Sequence, residues 1–208
     1  LNSIPIIAIP GNHEYLKGVV KTLPEHWKTI FPNPQNGPAR FLGTTYYVDF
    51  PHLRLIALDT DGLHRMSDYT QVAFWLKKTL RDAGKKFTIV MMHHPVYSTA
   101  EGRFNPFIWS AFHSAMREAD VVFSGHDHNY ARHTEHYKAR FWKKEEPTIF
   151  IGTNASTKKY PVKENNKYEA SLSGEPVYEY ILVTPTTLNI STYNLHSSEV
   201  IDEVEIIR

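Results

Sequence analysis

Short apolar runs rich in β-branched residues recur along the chain, separated by Gly, Pro, Asn and Asp. This patterning predicts strands over residues 4–9, 45–50, 53–58, 87–92, 121–124, 148–152, 177–183, 188–193 and 200–206. A 3.6-residue spacing predicts helices over 23–30, 70–82 and 106–118. Val72, Trp75, Leu76 and Leu80 share one face of the second helix, and Ile108, Phe112, Ala115 and Met116 one face of the third. Pro106 suits a first helical turn.

The segments 87–92 and 121–124 are apolar throughout, as expected of strands covered on both faces, whereas 188–193 and 200–206 alternate with polar positions and suit antiparallel pairing with one wet face. The expected fold class is α/β: a layered β-sandwich flanked by helices, in one domain over residues 1–208. Phe74, Trp75, Trp109 and Phe112 are expected in the core, and His133 and His136, in a polar stretch, at the surface. Residues 153–176, with Lys158, Lys159, Lys163 and Lys167, read as a solvated polar loop.

Composition narrows the chemistry. The 23 Lys and Arg nearly balance the 22 Asp and Glu, so the charge gives no signal for a nucleic-acid or membrane partner and says nothing of oligomeric state. Cysteine is absent, which removes disulfides, thiolate ligands and cysteine nucleophiles, and with them the usual structural zinc site. No run is long enough for a membrane span, and the first residues lack a signal peptide's charged head and cleavage site. The twelve histidines are the unusual item, because imidazole is both a common metal ligand and an acid/base near neutrality.

Three polar clusters each follow a predicted strand: Gly11-Asn12-His13-Glu14, His93-His94-Pro95 and Gly125-His126-Asp127-His128. In α/β sheets the carboxyl ends of neighbouring strands converge on one edge, so these clusters can meet in space. Imidazole nitrogens with an amide oxygen suit Zn, Fe, Mn or Ni and suit calcium poorly. Two such ions about 3.5–4 Å apart would clamp both oxygens of an in-line displacement at phosphorus.

Gly11-Asn12-His13-Glu14, His93-x-Pro95-x-Tyr97-Ser98 and Gly125-His126-x-His128-x-Tyr130-x-Arg132 together resemble the last three motif blocks of the calcineurin-like metallophosphoesterase superfamily, most closely its purple acid phosphatase-like branch. Gln71 with Trp75-Leu76 is similar to a helix of that branch, and the similarity spans about residues 4–206. The resemblance implies a metal-dependent phosphoesterase in which metal-activated hydroxide attacks a small-molecule phosphoester. It implies that Asn12, His93 and His126 bind one ion and His128 the other, and that His13 faces substrate as the catalytic histidine. His94, Tyr97, Tyr130 and Arg132 are candidate substrate-pocket residues. Strand alternation would turn His94 away from His93, and Asp127 should face away from His126 and His128. The same resemblance is compatible with a secreted or periplasmic setting.

The family's Asp-x-His and Gly-Asp blocks, with the tyrosine beside the latter, do not occur in these 208 residues, and Asp61-Gly-Leu-His64 has the wrong spacing to replace them. The domain is therefore expected to be truncated on its N-terminal side. Three imidazoles and one amide bring no charge to offset two metal ions, so this chain is expected to bind at most one ion tightly. The alternative function is a non-catalytic, phosphoesterase-like binding or structural module. Residues 15–43, 98–105 and 130–144 are the loops expected to set specificity.

Overall fold

The computed structural model describes residues 4–18, 21–137, 147–164 and 167–208; of the loops expected to set specificity, residues 19–20 of the first and 138–144 of the third lie outside them. In chain order the elements are α1 (Glu25–Ile30), β1 (Tyr46–Asp49), β2 (Leu53–Leu58), α2 (Met66–Arg81), β3 (Phe87–Met92), α3 (Pro106–Met116), β4 (Val121–Ser124), β5 (Tyr130–Glu135), β6 (Thr148–Gly152), β7 (Ala170–Leu172), β8 (Val177–Val183), β9 (Thr187–Asn194) and β10 (Val200–Ile207).

Among the described residues these strands form one sheet ordered β1-β2-β3-β4-β6-β5-β7 and a second ordered β10-β9-β8. β2, β3, β4 and β6 are parallel neighbours, while β1, β5 and β7 pair antiparallel and the second sheet is antiparallel throughout. On one face of the first sheet, Val72 and Leu76 of α2 and Phe112 and Met116 of α3 pack on Ile56, Val90 and Val122. On its other face, Ile89, Val121, Phe123 and Ile151 join Val177, Leu188 and Ile190 of the second sheet. Each such side chain contributes about 1.5–3 kcal/mol by leaving water. The fold is mixed α/β, as the patterning predicts, with α2 and α3 on one face of the first sheet and the second sheet on its other face.

Register aligns the functional edge. Leu58 pairs with Met92, Met92 with Ser124, and Ser124 with Gly152, so the chain leaves all four parallel strands at one level. Asp59, His93, Gly125 and Thr153 are the next residues, and Gly125 N–H donates to the His93 carbonyl at 3.1 Å.

Several expectations are corrected. Residues 4–9 form no ladder strand; Ile4 and Ile6 are exposed, and the segment is tied instead by Tyr46 and Asn33 side chains to the Ala8 carbonyl. β5 and β7 lie outside the predicted strands, because charged Arg132 and a polar loop composition mask them. α2 starts at Met66, where the Asp68 carboxylate caps it by accepting from the His64 and Arg65 amides. Phe74 is 75% exposed and Trp109 is a surface residue stacked on His113, while Phe112 is core as expected. His133 is buried against Tyr97 and Phe150 rather than exposed, because β5 places it on the helix-covered face of the sheet.

Candidate metal centre

β3 ends at Met92, so the two-residue alternation of a strand lapses before His94, and both imidazoles reach the same side. The His93 and His94 rings meet edge to face with centroids 5.1 Å apart, and His126 lies 5.0 Å from His93 and 4.2 Å from His94. The expectation that His94 turns away from His93 is thereby corrected.

The second cluster is shaped by backbone handedness. His126 (φ 68°) and His128 (φ 50°) both adopt the left-handed conformation, which side chains other than glycine rarely take. Between them Asp127 turns inward as expected, where its Oδ2 accepts from Ser98 Oγ (2.5 Å), Thr99 N (2.7 Å) and Ala100 N (3.1 Å). That anchor fixes the turn presenting the two flanking histidines.

The first cluster is a tight turn in which Gly11 N–H donates to Glu14 Oε2 at 2.7 Å. A Cβ at Gly11 would stand 2.8 Å from the His93 ring, so only glycine allows the approach. Asn12 Oδ1 lies 2.7 Å from His93 Nε2, and His126 Nδ1 lies 3.2 Å from that same nitrogen. Three donor atoms from three distant segments thus converge. His128 Nδ1 instead meets Ser156 Oγ at 2.7 Å, and His13 is exposed beside the cluster.

The donor set fits a transition-metal ion. Burial, reinforced by the neighbouring imidazoles, pushes His94 down to about 3 and His126 down to about 4. Burial also lowers His93, against the opposing pull of Asp61 and Glu14, and lowers His128, helped by Lys158 and Arg103. All four rings are therefore neutral at pH 7, the form that donates a lone pair to metal. A second ion has poorer provision, since His128 stands apart from the three converging donors.

Sequence reasoning missed the loop after β2. Asp59 accepts from the Tyr15 hydroxyl and from the amides of Asp61 (3.1 Å) and Gly62 (2.8 Å), and Asp61 approaches His94 Nδ1 at 3.3 Å. The signal was available: 53–58 is an apolar strand of the same parallel set, so the loop leaving it reaches the same edge. A basic rim was also missed. The Tyr160 ring carries the Arg103 guanidinium at 4.2 Å and the Lys158 ammonium at 5.1 Å, and its own edge meets the His128 ring at 5.4 Å.

Three candidate pocket residues are placed elsewhere. Tyr130 is fully buried and donates to Asp202 Oδ2 at 2.6 Å; Arg132 grips the same carboxylate from Nε (2.5 Å) and Nη2 (3.0 Å) and also pairs with Glu169. Both join β5 to β10 instead of lining the pocket. Tyr97 packs edge-on to His133 and Phe150 on the helical side of the sheet.

A calcineurin-like phosphoesterase family model matches residues 1–130. Glycerophosphodiester phosphodiesterase GpdQ of Enterobacter lignolyticus is 26% identical over 133 residues, which are 60% of this chain and 45% of that protein. In fold, the chain is similar to purple acid phosphatase PPD1 from yellow lupin (Lupinus luteus) seeds, with TM-score 0.62 and 19% identity over 79% of this chain and 33% of that one. It is also similar to GAP50, the anchor in the inner membrane complex of Plasmodium, with TM-score 0.57 and 18% identity over 78% of this chain and 53% of that one. The chain therefore spans less than half the length of the curated relative. Among the described residues no helix is long and apolar enough to cross a membrane.

Proposed function

Because the chain belongs to the calcineurin-like phosphoesterase family, we propose that its histidine-rich edge hydrolyses small-molecule phosphoesters with a bound transition metal. The observation that carries this is the convergence of Asn12 Oδ1, His93 Nε2 and His126 Nδ1. These three residues hold one ion, and His128 marks the place of a second, weaker one. When bound there, such an ion would supply a water of lowered pKa and positive charge for the phosphate oxygens.

The chain's own residues do the rest. His13, exposed beside Asn12, is placed to hand a proton to the departing oxygen. Arg103 and Lys158 supply positive charge for the phosphate on the His128 side. The likeness to a glycerophosphodiester phosphodiesterase favours a diester over a monoester. Zn, Mn, Fe and Ni all suit this donor set.

The test loads the purified chain with Zn²⁺ or Mn²⁺ and follows bis(p-nitrophenyl) phosphate and p-nitrophenyl phosphate. The expected result is one tightly bound equivalent, metal-dependent cleavage, and loss of both in His126→Ala. A second reading rests on the lack of any carboxylate among the three converging donors: a phosphoesterase-like module that binds metal without turnover. Metal binding with no cleavage above free metal would decide for it.

A further inference from the structure

The family resemblance leaves His94 without a metal role, yet its ring packs against those of both His93 and His126. Its backbone N–H donates to Thr60 Oγ at 3.0 Å, and its Nδ1 faces Thr60 Oγ at 3.2 Å and Asp61 Oδ2 at 3.3 Å. Nδ1 is thus engaged from the β2 loop, which leaves Nε2 as the nitrogen free to donate. His93, His94 and His126 each offer a ring nitrogen, and these lie within 4.8 Å of one another.

Asp61 is the second, independent observation. Its side chain is 0% exposed, and Oδ2 makes no formed hydrogen bond although it faces His94 Nδ1. Its other oxygen pairs with Lys21 Nζ at 3.1 Å. A buried carboxylate is costly unless it meets compensating charge or donors. A carboxylate behind a histidine fixes the ring tautomer and raises its basicity toward a metal.

We propose that this chain holds a single divalent transition-metal ion on three imidazoles, His93, His94 and His126, with Asn12 as the fourth donor and Asp61 as the positioning carboxylate behind His94. The assignment rests on the reading of this edge as a metal site. It adds a ligand and sets behind it a carboxylate, shared with Lys21, that the histidines and the amide lack. Four N and O donors also favour a four-coordinate ion such as Zn²⁺ or its spectroscopic substitute Co²⁺.

The test is titration of the full chain with Co²⁺, reading stoichiometry and the visible d–d bands, with folding checked by circular dichroism. Wild type is expected to bind one equivalent with an intense, four-coordinate spectrum. His94→Ala should lose affinity about 100-fold and shift to weaker bands, and His94→Gln, which keeps the volume, should do the same. Asp61→Asn should keep the band positions but bind about 10–100-fold more weakly. It should also lose the hyperfine-shifted exchangeable proton assigned to His94 Nδ1–H. The exposed His136→Ala is the control and should match wild type. Wild-type affinity and spectrum in both His94 variants would overturn the proposal while leaving the metal edge intact if His126→Ala abolishes binding. No Co²⁺ binding by wild type would overturn both.

Discussion

The Tyr15 hydroxyl donates to the buried carboxylate of Asp59, joining the turn that carries Asn12 and His13 to the loop that carries Asp61. Burial, then Asp59, raises the Tyr15 hydroxyl well above its ordinary range, so it stays a donor at any pH the fold survives. Tyr15→Phe strips a buried acceptor of its partner and should cost about 1–3 kcal/mol in urea denaturation. Metal affinity should fall with it, because the turn loses its tether. Unchanged stability would show that the bond carries no load.

Gly11→Ala separates packing at the site from packing of the core. The added methyl meets the His93 ring at 2.8 Å, and relief must come from moving that ring. Metal affinity is expected to drop about tenfold or more, which is about 1.4 kcal/mol. The melting temperature without metal should change by only a few degrees. Isothermal titration of both proteins checks the first statement and calorimetry the second.

Asp127 holds four donors from residues 98–100 on one oxygen, while its other oxygen lies 3.6 Å from Arg103. Asp127→Ala leaves buried donors without an acceptor and should destabilise by about 3 kcal/mol or more. Asp127→Asn keeps one acceptor oxygen and should cost less. Thermal unfolding of the two variants ranks them; equal losses would contradict the hydrogen-bond account.

Much of this arrangement is legible locally. The clusters at His93 and at Gly125 follow apolar strands, and parallel strands deliver their carboxyl ends to one edge whatever separates them in sequence, whereas the Asn12 turn reaches that edge from a segment that forms no ladder strand. The features that escape depend on partners far along the chain. Arg132 resembles a phosphate ligand because Asp202, its partner, is 70 residues away. That ion pair lets a charged residue sit in β5, so composition hides both the strand and the burial of His133. Spacing alone dismisses Asp61, although spacing matters less than which sheet edge the preceding strand reaches.

The basic rim gives a functional prediction that its sequence setting conceals. Arg103 and Lys158 sit on separate loops and meet on Tyr160, whose hydroxyl they shift downward. If they hold phosphate, the double variant Arg103→Ala with Lys158→Ala should weaken inhibition by inorganic phosphate about tenfold, with smaller loss at high salt. Inhibition identical to wild type would remove both residues from the substrate site.

His133 predicts the pH response of stability. Its ring stacks on Phe150 at 5.2 Å and meets Tyr97 edge-on at 5.1 Å, and its Nδ1 makes no hydrogen bond. Glu135, 3.9 Å from Nε2, is itself shared with Lys167. Burial and then Lys167 push the imidazole down to about 4. An unfolded histidine titrates near 6.5, so between about pH 6.5 and 4 the unfolded chain binds the proton that the folded chain refuses. The contribution of neutral His133 is therefore complete above about pH 6.5 and is lost as the pH falls toward about 4. At about 1.36 kcal/mol per unit the loss is about 3 kcal/mol. His93, His94 and His126 act in the same direction, so the wild-type slope exceeds that of any one ring. His133→Phe keeps an aromatic ring between Tyr97 and Phe150 and removes the proton site. Denaturation at about pH 7 and pH 4.5 should show a smaller loss in the variant than in wild type, and equal losses would place the acid sensitivity in groups other than His133.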